Sequence, residues 1–522
     1  MKKNLLSKSI GFILVLSLML TMTTMAFAAS TYTVKAGDTL AKIAAKTDVS
    51  VETLIKTNNI KNPSVIHVGD VLKLRSDSDA PKYVFYFIGD GLGPAQRQVA
   101  EYFLQDQNKS NEKLVMNQFP VAGINTTRSA DSLVTDSAAA GTALAAGYKT
   151  NNGMISQLPD GTNVKTLTEA AKAKGMATGL VSTTRLTHAT PASFATHISD
   201  RNQENEIAAQ YVDSGVDFLA GGGYRHFVAK DGQLKSKRKD NRDIAKEFVA
   251  KGYNVFVSED ATRSFRNFVP GGREKVAAFF TYSHMPYEID RDVNKVPSLA
   301  EMTEKGIDVL SKYNNGFFMM VEGGRIDHAA HANDPVGMIH DTLAFDRAIN
   351  KAYEFYKKHP EETLIVVAGD HETGGVGLGF AKNYFLHVDE LENAKVSTAD
   401  VLNYGEGKYD GNRSKFFNYI DENLGLDNLS KEERAKIEDA MDIADSNSRV
   451  SKSTYGGYDP VAIATTHILS ERANLQWTTY AHSATAIPLS AVGIGSESFG
   501  GYKDNTEIAK AMAKVIEVEL SK

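Results

Sequence analysis

The amino-acid sequence predicts an α/β protein with a large, mostly parallel sheet, preceded by a small domain. Three apolar runs, at 83–88, 316–321 and 364–367, have strand length and no polar face, which is typical of strands buried in a parallel sheet. From residue 83 onward such runs alternate with helical stretches, as they do in α/β domains. The 522 residues suffice for one large domain and one small one.

The composition limits the chemistry that the protein can use. There is no cysteine, so disulfides, thiolate nucleophiles and cysteine-ligated metals are excluded. A metal site would have to use His, Asp, Glu and hydroxyl groups, which suit zinc and magnesium. The formal net charge is −6, and it becomes more negative if the lysine-containing leader is removed. This charge argues against a nucleic-acid partner.

The segment 1–28 has the three parts of a secretory signal peptide. Three lysines precede an apolar core at 10–20, and Ala26 and Ala28 form a cleavage site of the A-x-A type. An uncleaved membrane anchor is the alternative, but the apolar core is short for a helix that spans a bilayer. We therefore expect a secreted, extracellular protein that has no transmembrane anchor after cleavage.

The region 31–75 predicts a strand, two helices and a second strand. Residues 32–34 alternate like a short strand, and Gly37 and Asp38 form a turn that caps the first helix. A second helical stretch covers 51–57, and a closing strand ends at residue 74. Residues 76–82 are polar and contain a proline, which predicts a linker.

This small region resembles a LysM module. The likeness rests on the Tyr-Thr-Val-Lys-x-Gly-Asp-Thr-Leu opening, on two adjacent asparagines and on the closing Val-Gly-Asp-x-Leu. It implies binding to N-acetylglucosamine polymers, such as peptidoglycan or a chitin-like glycan, and hence association with the cell wall. The glycan-binding candidates are Gly37, Asp38, Thr39, Asn58 and Asn59. A small structural cap without a ligand is the alternative.

Acidic residues follow all three predicted strands of the large domain. Asp90, Glu322 and Asp370 each come directly after an apolar run and beside glycines, and His371 follows Asp370. Because ligands bind at the carboxyl ends of strands in open α/β sheets, we expect these acids at one edge. Each acid taken alone could instead be the N-cap of a helix.

Histidines and a serine add to this edge. Asp327 and His331 are four residues apart, so a helix would place both on one face, where they could hold a zinc ion. Ser137 follows a Thr-Asp turn and opens a run of small residues, which predicts a helix start that favours a bound anion. The alternatives are an N-cap role for Ser137 and a structural or surface role for His328 and His482.

Residues 83–522 resemble alkaline phosphatases. Six blocks occur in the order of that family: Phe87-Ile-Gly-Asp-Gly, Val134-Thr-Asp-Ser-Ala-Ala-Ala-Gly-Thr-Ala, Thr187-His-Ala-Thr-Pro, Val321-Glu-Gly-Gly-Arg-Ile-Asp-His-Ala-x-His, Gly369-Asp-His-Glu-Thr-Gly and Trp477-Thr-Thr-x-x-His. Six blocks are far more specific than a single motif. The resemblance implies a three-layer α/β/α sandwich that hydrolyses phosphate monoesters.

The resemblance also implies a role for each matched residue. Ser137 is the expected nucleophile, and Arg201, expected on a helix-like stretch after Pro191, is the expected phosphate ligand. The expected cofactors are two Zn²⁺ ions and one Mg²⁺ ion. The ligand sets are Asp327, His331 and His482 for one zinc, Asp90, Asp370, His371 and Ser137 for the other, and Asp90, Thr190 and Glu322 for magnesium.

Three further residues are expected beside the metals and the phosphate. They are Asp136, His188 and His328. His188 and His328 stand where some members of the family carry Asp and Lys. An imidazole at position 188 could recruit a softer ion, so the identity of the third metal stays open.

The number of residues that separate His371 from His482 in the sequence is large for the family. The segment from about 382 to 461 is therefore expected to be an inserted lobe that shapes substrate access or a subunit contact, or a solvated decoration. A homodimer is usual in the family. The alternatives to an exported, wall-bound phosphatase are a phosphodiesterase-type or sulfatase-type metal domain, and a wall-binding protein whose large domain is inactive.

Overall fold

The computed structural model describes residues 31–47, 49–74, 80–382, 384–446 and 452–522. The predicted signal peptide at 1–28 and most of the predicted linker lie outside these residues. The chain divides into two compact units, Met1–Asp79 and Ala80–Lys522. In the described part of the chain, no helix has both the length and the apolar character that crossing a membrane requires.

The small unit has the predicted order of strand, helix, helix and strand. Strand β1 (Thr31–Thr33) pairs antiparallel with β2 (Val71–Lys73), and the helices Leu40–Thr47 and Val51–Thr57 lie between them in the chain. The apolar residues that this pattern brings together form a core of their own: Val34, Leu40, Ile43, Leu54, Leu72 and Leu74.

The large unit is built around one sheet. Its strands are β3 (Tyr83–Gly89), β4 (Val121–Thr126), β5 (Ala177–Arg185), β6 (Phe218–Gly222), β7 (Tyr253–Val257), β8 (Lys275–Phe279), β9 (Phe317–Gly323), β10 (Thr363–Gly369), β15 (Ile487–Gly493) and β16 (Gly501–Asp504). Among the described residues the order is β16-β4-β15-β10-β3-β9-β5-β6-β8-β7. Only β15 runs antiparallel to its neighbours in this sheet, so the predicted mostly parallel sheet is confirmed.

Four short strands lie outside this sheet and form two small antiparallel pairs. They are β11 (Glu372–Thr373), which pairs with β14 (His482–Ser483), and β12 (Gly377–Leu378), which pairs with β13 (Leu475–Gln476).

Helices cover both faces of the sheet, because alternate strand residues point into two different cores. Phe85 and Phe87 of β3 belong to one core, whereas Val84, Tyr86 and Ile88 belong to the other. The α-helices of the large unit are Pro94–Gln107, Ser137–Ala146, Leu167–Ala173, Ala189–Ala192, Glu204–Ser214, Ile244–Ala250, Thr262–Asn267, Leu299–Leu310, Arg325–His331, Pro335–Lys358, Arg413–Leu424, Lys431–Asp445, Lys452–Tyr455, Pro460–Arg472 and Asn505–Val515. The predicted three-layer arrangement is confirmed.

We keep the name inserted lobe for the described residues between 382 and 461. It contains the helices Arg413–Leu424, Lys431–Asp445 and Lys452–Tyr455, together with a π-helical turn at Thr398–Leu402. Apolar residues of the lobe, such as Leu402, Ile420 and Ile437, share one core with helix Pro460–Arg472. The buried residues of the lobe are therefore packed against the rest of the large unit.

Candidate active site

The predicted acids meet at one edge of the sheet. Asp90 and Asp370 directly follow the neighbouring strands β3 and β10, and Glu322 lies near the end of β9, on the other side of β3. The register places Gly89 opposite Gly369, and Ile88 opposite Glu322. All three carboxylates are completely buried. The expectation that independent strands deliver acids to one edge is confirmed.

Three groups of His, Asp and Glu side chains could each hold a cation in the described part of the chain. Within each group the potential ligand atoms lie within 4.8 Å of one another. The groups are Asp327, His331 and His482 (the first group), Asp90, Asp370 and His371 (the second group), and Asp90, His188 and Glu322 (the third group). Asp90 belongs to the second and third groups.

The first group joins a helix to a short strand. Asp327 and His331 share one face of helix Arg325–His331, as their spacing predicts, and His482 opens β14. The Nε2 atoms of His331 and His482 lie 3.3 and 3.5 Å from Asp327 Oδ1, and 3.1 Å from each other. Each Nδ1 is 2.7 Å from a backbone carbonyl, that of Tyr480 for His331 and that of Thr135 for His482. Because Nδ1–H donates to these carbonyls, both Nε2 lone pairs are free for a metal.

The second group surrounds the hydroxyl of Ser137. His371 Nε2 lies 3.3 Å from Asp90 Oδ1, 3.4 Å from Asp370 Oδ2 and 3.2 Å from Ser137 Oγ. The two carboxylate oxygens are buried and accept no hydrogen bond from described residues. A buried carboxylate oxygen without a donor is costly unless a cation binds it, so this donor set fits a metal ion.

The third group contains oxygen ligands and one imidazole. Glu322 Oε2 accepts hydrogen bonds from Ser182 and Thr184, while its Oε1 is buried without a partner among described residues. Thr190 Oγ1 donates to Asp90 Oδ2 over 3.4 Å. His188 Nδ1 lies 3.9 Å from the same oxygen, and His188 Nε2 lies 3.1 Å from Arg201 Nη2.

The contact with Arg201 determines which ring nitrogen of His188 carries the hydrogen. A guanidinium can only donate, so Nε2 accepts and the hydrogen of a neutral ring is on Nδ1, the nitrogen that faces Asp90. In this arrangement Nδ1 carries a hydrogen, has no hydrogen-bond acceptor among the described residues and cannot ligate a metal ion.

Burial and crowding of like charges shift the pKa values of these groups. Burial, followed by the charge of Asp370, raises the pKa of Asp90 well above its usual range. The pKa of Asp370 is raised by burial and by the charge of Asp327. Burial raises the pKa of Glu322 to about 7. Burial lowers the pKa of His371, with a further contribution from His482. The acids are thus stable as anions only beside cations, which again fits metal binding.

Ser137 is the first residue of helix Ser137–Ala146 and is 2% exposed. The N-cap is Asp136, whose Oδ1 accepts a hydrogen bond from Ala139 N over 2.9 Å. The alternative that Ser137 itself is the cap is therefore wrong. The carboxylate of Asp136 is a stronger acceptor than a serine hydroxyl, and its negative charge is stabilised by the positive end of the helix dipole. The hydroxyl of Ser137 is therefore not used as the helix cap.

Arg201 points back to this helix start. Its Nη1 donates to Asp136 Oδ2 over 2.9 Å. The prediction that Arg201 lies on a helix-like stretch is wrong, because it occupies a turn between helices Ala189–Ala192 and Glu204–Ser214. Asp200 Oδ1 accepts from Asn202 N over 2.9 Å, and this local bond competes with helix formation.

His328 packs behind the third group. Its ring centroid lies 5.4 Å from that of His188 and 4.3 Å from that of His284. Its Nδ1 donates to Gly324 O over 3.0 Å, and burial lowers its pKa to about 3, so the ring is neutral. Sequence reasoning missed His284, because a lone histidine outside any matched block gives no signal.

A second missed feature ties two metal-ligand segments together. Glu372 accepts a hydrogen bond from Gln96 Nε2 over 2.7 Å and another from Ser483. In the short ladder between β11 and β14, Thr373 lies opposite His482. Glu372 thus fixes His371 and His482 relative to each other. The available signal was its position directly after the Asp-His pair.

The glycan-binding candidates of the small unit divide into two kinds. Asn58 is committed to the fold, since its amide donates to Lys73 O and accepts from Lys73 N, both over 2.8 Å. Asp38 likewise accepts from Tyr32 OH over 2.7 Å and from Lys35 N over 2.8 Å. Gly37 and Asn59 lie in turns with φ of 85° and 51°, and Thr39 precedes the first helix.

Comparison with known proteins identifies the large unit. The family model described as alkaline phosphatase matches residues 81–518. The chain belongs to the alkaline phosphatase family. Alkaline phosphatase 3 of Bacillus subtilis (strain 168) is 36% identical over 488 residues, which cover 90% of this chain and 97% of that protein. The repressible alkaline phosphatase of Saccharomyces cerevisiae is 33% identical, over 86% of this chain and 83% of that protein.

Solved alkaline phosphatases share the fold. The Thermus thermophilus enzyme has a TM-score of 0.72 at 30% identity, covering 85% of this chain and 92% of that chain. The cold-active enzyme of Shewanella sp. has a TM-score of 0.71 at 28% identity, covering 83% of this chain and 99% of that chain. The chain is thus an enzyme of the alkaline phosphatase type. The LysM family model matches residues 32–75, so the small unit is a LysM domain.

Proposed function

We propose that this enzyme hydrolyses phosphate monoesters through a phosphoserine at Ser137, in a site that holds two zinc ions and one magnesium ion. The observation that carries the proposal is the position of Ser137 Oγ, 3.2 Å from His371 Nε2 and among buried carboxylate oxygens without hydrogen-bond donors. A hydroxyl at the start of a helix that does not cap that helix, beside potential cation ligands, suits attack on an anionic phosphate.

The donor atoms suggest which ion each group takes. The first and second groups offer imidazole nitrogens and carboxylate oxygens, which zinc accepts. Asp90, Thr190 and Glu322 offer oxygens alone, which magnesium prefers. When bound, these cations lower the pKa of a coordinated hydroxyl or water and neutralise charge that develops on the transferred phosphoryl group.

Ser137 supplies the nucleophile of the reaction, and Arg201 binds the phosphoryl group. Ser137 Oγ loses its proton and forms a bond to phosphorus while the bond from phosphorus to the ester oxygen breaks, and the leaving oxygen takes up a proton to give the alcohol. A water molecule then attacks phosphorus, the bond to Ser137 Oγ breaks, Ser137 regains a proton, and inorganic phosphate is released. The helix start positions the hydroxyl and stabilises negative charge beside it. The guanidinium of Arg201, held by Asp136 over 2.9 Å, can present two N–H groups to two phosphate oxygens.

A variant of a solved relative bears on the choice of metal at such a site. In a variant of the alkaline phosphatase from the Antarctic bacterium TAB5, a histidine is replaced by glutamate and Mg is bound in the M3 site. That structure has a TM-score of 0.58 at 29% identity with this chain. We propose that His188 weakens magnesium binding by occupying space beside Asp90 that a carboxylate would fill with a ligand oxygen.

The remaining part of the proposal concerns location. A predicted signal peptide at 1–28 and a LysM domain together support export followed by tethering to peptidoglycan or a similar N-acetylglucosamine polymer. Thr39 Oγ1 accepts a hydrogen bond from Lys42 N over 3.2 Å at the start of the first helix, so Asn59 is the first LysM candidate to examine for glycan contact. The catalytic unit would then act on phosphate esters outside the membrane.

Release of phosphate from an aryl phosphate monoester tests the reaction. We expect turnover by the zinc- and magnesium-loaded enzyme, loss of turnover after chelation, and restoration by zinc with magnesium. Ser137→Ala should abolish both turnover and the trapping of radiolabelled phosphate on the protein at low pH. Ser311→Ala, at the end of helix Leu299–Leu310, serves as the matched control. Full turnover by Ser137→Ala would contradict the mechanism, and an inert wild-type enzyme would favour a wall-binding protein.

A further inference from the structure

We infer that the inserted lobe braces the first ligand group, so that Asp400 and Tyr480 are positioning residues for the metal ion held by Asp327, His331 and His482. This inference rests on the proposed metal-dependent function. It assigns to the lobe a role other than substrate access or subunit contact. It is carried by contacts that reach both ligand-bearing segments of the first group.

The lobe holds the start of the ligand helix. Arg325, the first residue of helix Arg325–His331, is 5% exposed and donates a hydrogen bond from Nη2 to Asp400 of the lobe. Its guanidinium carbon lies 3.6 Å from the ring centroid of Tyr287. Asp400 belongs to the π-helical turn Thr398–Leu402, an irregular element of a kind often found at functional sites. A carboxylate of the lobe thus neutralises a buried cation two residues before Asp327.

The same turn holds the chain just beyond the ligand helix. Asp334, three residues after His331, caps the next helix with Oδ1. Its Oδ2 accepts hydrogen bonds from Thr398 N over 2.9 Å and from Ala399 N over 3.0 Å. Ser397 Oγ also donates to Asp290 over 2.6 Å. The ligand helix is therefore fixed at both ends by one short stretch of the lobe.

The lobe also supports the segment that leads to His482. Tyr480 accepts the Nδ1–H of His331 at its backbone carbonyl and donates its own hydroxyl hydrogen to Thr454 O over 2.9 Å. Gly456 has φ of 63°, and a Cβ atom there would lie 2.5 Å from Tyr480 Cγ, so the lobe backbone packs directly on the ring. A change in the position of Tyr480 would move the carbonyl that orients His331.

The ligands of the other two groups are held by the sheet edge and by neighbouring core segments. Asp370 Oδ1 accepts from Gly91 N, Glu322 accepts from Thr184, and Asp90 accepts from Thr190. These donors lie outside the region 382–461. Loss of the brace should therefore weaken one metal site and spare the others. A general loss of stability would not produce such selectivity.

Retention of zinc under competition by a chelator tests the brace, by which we mean the contacts of the lobe with Arg325, Asp334 and Tyr480. We compare the wild-type holoenzyme with Asp400→Asn and Tyr480→Phe, and we measure zinc per chain by elemental analysis against time and chelator concentration. Hydrogen-bond partners of metal ligands contribute about 10- to 100-fold to metal affinity. We expect one of the two zinc ions to dissociate from each variant at a chelator concentration lower than from the wild type, by up to about tenfold, because each substituted group acts on the ligands through one further contact. The second zinc ion should dissociate as it does from the wild type.

The lobe offers a matched control for each substitution. Asp442→Asn removes a carboxylate that pairs with Arg413, and Tyr409→Phe removes a hydroxyl that donates to Asp445 over 3.1 Å. Both contacts lie within the lobe and away from the ligand helix, so both controls should retain zinc like the wild type. Asp400→Glu, which restores the carboxylate, should recover part of the lost retention.

The outcomes separate this inference from the proposed function. A wild-type enzyme that binds fewer than two zinc ions would overturn the proposed metal centre and the brace with it. A wild type that binds two zinc ions, together with variants that retain both equally well, would overturn the brace alone. Parallel loss of both zinc ions from Asp400→Asn, Tyr480→Phe and the two controls would also overturn it, because the effect would then be a general loss of stability.

Discussion

At the scale of single residues, Arg201 shows how one side chain can serve two neighbours. It donates to Asp136, which caps the helix of the proposed nucleophile, and to His188, which lies beside the third group. The residue that we expect to bind phosphate is thereby held against both the nucleophile helix and the proposed magnesium site. Any movement of Arg201 toward a bound phosphate changes the hydrogen bonding of His188.

Arg201→Lys tests the need for a planar, two-pronged donor. A lysine keeps the charge but cannot bind two phosphate oxygens side by side. We expect inhibition by inorganic phosphate to weaken by about tenfold or more, the equivalent of about 1.4 kcal/mol, and Arg201→Ala to have at least the same effect. The measurement is the inhibition constant for phosphate together with kcat and KM. Arg413→Lys on the exposed surface is the control, and an unchanged inhibition constant in Arg201→Lys would contradict the assignment.

His188→Asp tests the role proposed for His188. A carboxylate adds a hard oxygen ligand beside Asp90 and Glu322, so the third group should bind magnesium more tightly. The activity of the variant should therefore depend less on added magnesium than that of the wild type. Metal analysis after equilibration with limiting zinc and magnesium measures the change. His387→Asp, at an exposed position of the lobe, is the control. Identical occupancy in the wild type and His188→Asp would contradict the role proposed for His188.

At the scale of elements, helix Pro335–Lys358 carries a buried acid with no part in the proposed chemistry. Asp341 is 4% exposed, and its Oδ2 accepts a hydrogen bond from Glu288 N over 3.1 Å. Burial raises the pKa of Asp341 to about 8, against the opposing charge of Arg325. At neutral pH the folded protein therefore keeps a proton on Asp341 that the unfolded chain releases.

This difference predicts how stability depends on pH. Because the pKa is higher in the folded state, the contribution of Asp341 is most favourable below about pH 4 and declines as the pH rises to about 8. The slope for one proton is at most about 1.4 kcal/mol per pH unit. Asp341→Asn removes this titration, so its free energy of unfolding should decline less than that of the wild type between pH 5 and 8. Urea unfolding of both holoenzymes measures the difference, and parallel curves would contradict the prediction.

The elements that sequence patterns predicted are those with repeated signals. The sequence alone predicts the buried strands that end in acids, because the same pattern of an apolar run followed by an acid occurs three times. It also predicts that Asp327 and His331 share a helix face, because residues four apart do so in any helix. Other contacts join single residues to partners in separate segments of the chain. These pairs are Asp400 with Arg325, His284 with His328, and Tyr480 with Thr454. Their contacts are set by tertiary packing between distant segments, which no local pattern specifies. The capping role of Asp136 was ambiguous because Asp and Ser are both good caps.

At the scale of the whole molecule, the two units have separate hydrophobic cores. Deletion of residues 31–74 should therefore abolish co-sedimentation with peptidoglycan and leave kcat and KM for an aryl phosphate nearly unchanged. The full-length Ser137→Ala protein is the reciprocal control, since it should sediment with the glycan and lack turnover. Sedimentation that survives the deletion would show that glycan binding resides elsewhere.

The place of β15 in the sheet has a consequence for the order in which the chain can fold. This strand, at Ile487–Gly493, lies between β10 and β4, and the other neighbour of β4 is β16, at Gly501–Asp504. Ribosomes would need roughly 6 to 25 s to pass from the end of β10 to the end of β15 at about 5–20 residues per second. During that interval β10 has an open edge, and β4 lacks both of its neighbours. The strand order of the sheet is thus complete only when the last segment of the chain has been synthesised. A chain truncated after β10 would expose strand edges that can pair with other chains.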